Sequence, residues 1–189
     1  MRVPALPTAA AILDALGQPS ARASGTRPDE EPAEIMDQIS ALHRNNAAQW
    51  DREDDASRGH GNDAVVAAAK RDIDRLNRAR HDFIEAIDRA ILGVLAPHEG
   101  APLVTETPGM AIDRLSVLVI RLATTEARAA SGTAGARLYA DRLPRLRSQV
   151  NALEEAIATL LNDLENGTRR FLAHASLKLY GPEDSGQAG

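Results

Sequence analysis

From Ala64 to Leu95, apolar side chains return every three or four residues: Val66, Ala69, Ile73, Leu76, Phe83, Ile84, Ile87, Ile91 and Val94. At about 100° per residue they share one face of an α-helix. A face of that length is unstable in water alone and demands partner helices with matching stripes. The chain supplies them. "LPRLRSQVNALEEAIATLLNDLENGTRRF" repeats the spacing at Leu143, Leu146, Val150, Leu153, Ile157, Leu160, Leu164 and Phe171, and "GMAIDRLSVLVIRLA" is apolar nearly all round, as a helix enclosed by others must be. Aromatic residues make up only 3% of the chain, so strand-forming material is scarce and the core must be aliphatic. The expected fold is all-α, a bundle of four long helices with an additional short N-terminal helix.

Proline, glycine and capping residues set the expected boundaries. A short helix from about Thr8 to Leu16 leads into "GQPSARASGTRPDEEP", a flexible connection. Helix two is expected over 31–57, ended by "RGHGND", where Asn62 or Asp63 caps helix three over 64–95. After the loop "APHEGAPLVTE", Thr107 is the N-cap and Pro108 the first residue of helix four, which runs to Ala130. "SGTAG" separates it from a fifth helix over 136–180, kinked or started near Pro144 and loosened at Gly167. The domain division expected is 1–30 for the short helix and linker, 31–181 for a single helical-bundle domain, and 182–189 for a disordered tail.

Charge narrows the function classes. Lys and Arg total 22 against 27 Asp and Glu, a net charge of −5, and the two signs are interleaved, which disfavours a nucleic-acid surface. With no cysteine there is no thiol nucleophile and no thiolate metal site. No run approaches the roughly 20 apolar residues needed to span a bilayer. The N-terminal apolar patch is interrupted by Pro4, Pro7 and Asp14, unlike a secretory core, so a cytoplasmic location is expected.

A polar seam borders the apolar face of helix three. Arg80 falls inside the stripe, Asn77 beside it, and Lys70, Asp74, His81 and Asp88 along one edge. On helix four, Asp113 projects with Val117 and Ile120 and is expected to point into protein, with Arg80 or Lys70 as counter-charge. That arrangement fits either a pocket-lining network or a structural salt bridge that sets helix register. Replacing Asp113 is expected to strand a buried cation, and so to cost more than replacing Arg80. Helix two carries a stripe of His43, Asn46, Trp50, Glu53 or Asp54, and Ser57 at three- and four-residue steps. Lys70 is one of only two lysines, the other being Lys178, in a chain that otherwise uses Arg, which marks it as a titratable amine for a direct role. The start of helix four offers free N–H groups to an anion. There Gly109 would clear space for a ligand and Glu106 would hold a cation or donor beside it. His81, Glu85 and Asp88 share the spacing of metal-binding helices, but Glu85 diverges from the core face. There is no phosphate-binding Gly-rich loop, no Gly-x-Ser-x-Gly elbow and no His-Glu-x-x-His.

Four stretches taken together, "LHRNNAAQWDREDDASR", "AKRDIDRLNRARHDFIEAID", "TETPGMAIDRLSVL" and "GTRRFLAHASLKLY", resemble a bacterial family known as domain of unknown function 4254. The family pattern falls on Trp50, Glu53, Asp54, Lys70, Asp74, Asn77, Arg80, Asp82, Asp88, Glu106, Thr107, Pro108, Gly109, Asp113, Arg114 and Ser116. The chain departs from the pattern in having His81 where Asn is usual, and in "DDASR", one residue out of step, which leaves Arg58 without a clear match. The resemblance brings no established reaction. It implies association with surface-glycan or sugar-nucleotide pathways, because members accompany glycosyltransferases.

Two functions follow as expectations. The first is an accessory helical protein of surface-glycan or glycosylated-metabolite biosynthesis, self-associating or partnered with a glycosyltransferase pathway. The second is an enzyme or ligand-binding protein acting at the seam on an anionic small molecule, phosphorylated or carboxylated, such as a nucleotide or sugar nucleotide. In the second, Glu53, Asp54, Lys70 and Asp113 are the catalytic candidates. Trp50, Asp74, Asn77, Arg80, Glu106, Thr107, Gly109 and Arg114 would bind the ligand. No cofactor is identified, and Mg2+ is the metal such carboxylates would take. Convergence discriminates the two: side chains meeting around an open cavity favour the second, side chains paired in a closed interior the first.

Overall fold

The computed structural model describes residues 6–17, 35–58 and 63–175, and every regular element longer than a single bridge in them is helical. The elements are α1 (Ala9–Gly17), α2 (Ile35–Arg58), α3 (Asp63–Val94), α4 (Pro108–Ala129), α5 (Ala136–Ala140) and α6 (Leu143–Glu165). The fold is all-α, and α2, α3, α4 and α6 are its long helices. The expected linker and tail, Asn62 as a cap, and residues 176–180 of the fifth helix lie outside the described residues. No helix among those described is long and apolar enough to cross a membrane.

Helix α4 touches every other helix. The α2/α3 hairpin lies against it on one side and α6 on the other, so its nearly continuous apolar surface is used on several faces. Ile112 and Leu115 of α4 are fully enclosed, together with Ile39 and Leu42 of α2, Ile87 and Ile91 of α3, and Ile12 of α1, while Ile157 and Leu164 of α6 are almost so. The start of α4 is as its sequence dictates. Thr107 adopts an extended conformation and its Oγ1 accepts from the Met110 amide at 3.3 Å, while Pro108, which has no N–H to satisfy, occupies the first turn.

The single fifth helix expected over 136–180 is instead two helices and a strap. Pro144 lies in the first turn of α6, where its ring excludes a preceding helical turn, so the chain breaks after α5 and restarts. At the far end, Gly167 takes φ 66°, a left-handed conformation that terminates α6. Beyond it the chain runs extended beside the 101–104 loop. The Val104 amide donates to Arg170 O at 2.9 Å and the Arg170 amide to Pro102 O at 3.0 Å. Phe171, placed in the core by the helical stripe, is buried all the same, but from the strap.

At Gly109 the start of α4 lies directly against α3. A Cβ there would stand 2.6 Å from the Ile84 carbonyl oxygen and 2.8 Å from Asp88 Oδ1. Gly109→Ala should therefore cost about 1–3 kcal/mol by overpacking. Gly93→Ala, near the end of α3 with nothing within 4 Å of the new methyl, should be stabilising by about 0.5–1 kcal/mol. Urea denaturation of the two variants measures this opposition of sign.

Candidate functional site

The polar residues of α2, α3 and α4 meet in one chain of hydrogen bonds. Asp113, on the second turn of α4, is buried, and its Oδ1 accepts from Arg80 Nε at 2.7 Å while its Oδ2 accepts from Arg80 Nη2. Asn46 Nδ2 donates to the same Oδ1 at 2.9 Å and to Ser116 Oγ at 3.1 Å. Ser116 Oγ lies 2.9 Å from His43 Nδ1. Three helices are thus joined through two carboxylate oxygens and one hydroxyl. The bidentate pair raises the Arg80 pKa, chiefly through its hydrogen bond to Asp113, against the opposing effect of burial and with help from the charges of Asp113 and Glu53. His43 is pushed below its ordinary 6.5 by burial and then by neighbouring Arg44, so its ring is neutral at neutral pH. Because Asn46 donates to Ser116 Oγ, that hydroxyl can turn its own proton to His43 Nδ1. Ser116 is fully enclosed, whereas His43 is half-buried.

The N-terminus of α4 already holds an anion, and the anion belongs to the protein. Asp88, completely buried on α3, accepts from the Gly109 amide at 2.8 Å through Oδ1 and from the His174 amide of the strap at 3.0 Å through Oδ2. The carboxylate sits at the positive end of the α4 dipole and takes up an amide that has no acceptor within the helix. This corrects the expectation that Gly109 clears space for a ligand: the space is filled by α3. Glu106 does hold a donor, and that donor is Arg114 at 2.7 Å, on the exposed side of α4.

Other sequence candidates separate. Lys70 and Asp74 are exposed. Lys70 lies ten residues before Arg80, about 15 Å along the helix, so it cannot share Asp113 with Arg80 and does not line the seam. Glu53 is exposed and accepts from Gln49 Nε2 at 3.1 Å, and Asp54 pairs with Arg128 at 3.3 Å. Asn77 is half-buried. His81 stacks on His174, ring centroids 5.5 Å apart. Among the described residues no three His, Asp or Glu side chains are placed to hold a metal ion. Trp50 is half-buried, and its Nε1, like Asn46 Oδ1 one turn earlier, is enclosed without a hydrogen-bond partner.

The model of the family described as "Protein of unknown function (DUF4254)" matches residues 36–172, which contain all of α3 to α6, all of α2 but its first residue, the whole network and Asp88. The chain belongs to this family. It matches no curated protein and no solved structure. The apolar spacing gives no interior role to Asn46, Ser116 or Asp88, and the structure buries all three. A signal for Asp88 is nonetheless present, since Ile84, Asp88 and Ile91 succeed one another at four- and three-residue steps along the apolar face. Ser116 lies four residues after fully buried Ile112 on α4, on the same face.

Burial argues against the expected order of cost for substitutions in the Arg80–Asp113 clasp. The Arg80 side chain is 29% exposed and that of Asp113 only 7%. With Asp113 replaced, Arg80 can turn to water, but with Arg80 replaced, Asp113 is stranded with Asn46 as its remaining partner. Arg80→Met should therefore lose about 3–5 kcal/mol and Asp113→Asn clearly less. Urea midpoints that are equal, or that fall in the opposite order, would contradict this account of the clasp.

Proposed function

We propose that this chain is a non-catalytic accessory protein of surface-glycan or glycosylated-metabolite biosynthesis, acting through a rigid helical body rather than through a reacting centre. The observation that supports the reading is how the interior polar groups are used. Asp113 is taken up by Arg80 and Asn46, Ser116 by Asn46 and His43, and Asp88 by two backbone amides. A general base or nucleophile must be able to meet a substrate proton or carbon. In this interior the acidic and hydroxyl groups instead meet one another's donors. The rival reading, an enzyme or binding protein working at the seam, needs Glu53, Asp54, Lys70 and Asp113 to face one molecule. They face Gln49 and solvent, Arg128, solvent, and Arg80 in turn. The glycan setting rests on the family likeness, and the partners suited to it are a second copy of the chain or a glycosyltransferase-pathway protein.

Complementation tests both parts. In a strain lacking the protein, the amount of surface glycan should fall, and Ser116→Ala should restore it in proportion to how much folded variant accumulates. An unchanged glycan in the deletion strain removes the pathway assignment. A Ser116→Ala variant present at full abundance yet unable to restore glycan would instead indicate chemistry at the network.

A further inference from the structure

On the side of α4 away from Asp88, its C-terminal half, α5 and the start of α6 enclose a cleft of about 620 Å³, with Trp50 of α2 in its wall. We propose that this cleft binds a small molecule through a phosphate or diphosphate group. The proposal is independent of the accessory role and concerns a different place from the seam.

Four arginines line the cleft, Arg121, Arg128, Arg142 and Arg145, against one lining carboxylate, Asp141. This excess stands out in a chain whose net charge is −5. Arg128 is partly engaged: it pairs with Asp54 at 3.3 Å and donates to the Tyr139 hydroxyl at 3.2 Å. The Tyr139 ring holds two guanidinium groups, Arg128 at 5.5 Å and Arg142 at 5.7 Å from its centroid. Among the described residues, no carboxylate is paired with Arg121, Arg142 or Arg145. Like charges gathered in this way repel one another, and a bound anion turns that repulsion into attraction.

The start of α6 adds to the same field. Arg142 occupies its N-cap position with no side-chain cap bond, and no acidic residue stands in its first turn. The positive end of the helix dipole therefore faces a concentration of arginine, the reverse of the usual helix design. Trp50 contributes an apolar wall to the cleft. The ligand class follows from counting charges. A carboxylate is answered by a single arginine fork, whereas several converging guanidinium groups suit the oxygens of a phosphoryl dianion or a diphosphate. The volume lies within the range of cofactor-sized sites, about 300–1,000 Å³, so it admits the remainder of a sugar phosphate or nucleotide beside the phosphate.

The test is calorimetric titration of the full chain with inorganic pyrophosphate, glucose 1-phosphate and uridine diphosphate. In parallel, the fluorescence of Trp50, the only tryptophan, is followed with the two probes that do not absorb. We expect at least one probe to bind with a dissociation constant below about 1 mM, to change Trp50 emission saturably where it can be followed, and to weaken as salt is raised. The relative strengths of the three probes assign the ligand to the diphosphate, sugar-phosphate or nucleotide class. Arg121→Ala combined with Arg145→Ala should weaken binding at least about tenfold, while Arg137→Ala, on α5 outside the lining, should leave it unchanged. Both lining arginines are exposed, and an unaltered melting temperature of the ligand-free double variant shows that the fold is intact. Arg145→Glu alone, which should also abolish binding, serves as the second variant. Absence of binding by all three probes, parental affinity in the double variant, or sulfate binding as tightly as pyrophosphate would each overturn the proposal.

Discussion

A carboxylate enclosed in protein with no cation beside it persists only where N–H groups are aimed at it, because an ion left without partners in that setting is far too costly. Asp88 has two such groups, and they come from different parts of the chain: the second residue of α4 and the strap that follows α6. One side chain of α3 therefore holds the start of the central helix and the last described segment together. The close approach this needs is possible only because Gly109 has no side chain, and Thr107 and Pro108 complete the helix start around it. With α4 held in this way, Asp113 one turn later reaches the Arg80 guanidinium and Asn46 of α2, and all three long helices of this half are tied to one axis.

Charge is used in two contrasting ways across α4. On the side of α2 and α3, acidic and polar groups are paired in the interior and neutral His43 ends the chain of hydrogen bonds. On the side of α5 and α6, arginines gather at an open cleft with few acids to answer them. The first arrangement gives register and rigidity, and the second leaves electrostatic potential directed outward. Such a potential on a firm frame can recognise a charged ligand without chemistry being done on it. That division of labour is compatible with an accessory role.

The helices were legible in the sequence because their apolar spacing, Thr107 and Pro108 are local signals read at the same place where they act. The break between α5 and α6 was less so, since Pro144 can either kink a helix or begin one, and only packing against α4 decides. The Arg80 and Asp113 pair follows from both standing on apolar faces, but a shared helical face says nothing of distance along the axis, which separates Lys70 from Asp113. The role of Gly109 was reversed for a related reason. A glycine signals close approach without naming what approaches, and here it is the Ile84 carbonyl and Asp88 rather than a ligand. The arginine cleft could not be seen at all, because its residues come from α2, α4, α5 and α6 and share no spacing.

The central claim is that Asp88, and not an external anion or water, satisfies the start of α4. Amide hydrogen exchange followed by NMR tests it most directly. Gly109, as the second residue of a helix, has no acceptor within that helix, and an amide so placed ordinarily exchanges rapidly. The account predicts that the Gly109 and His174 amides of the full chain exchange only as slowly as global unfolding permits, and that Asp88→Ala makes both fast. Rapid exchange of the two amides in the unaltered protein, at the rate of a frayed helix end, would contradict it.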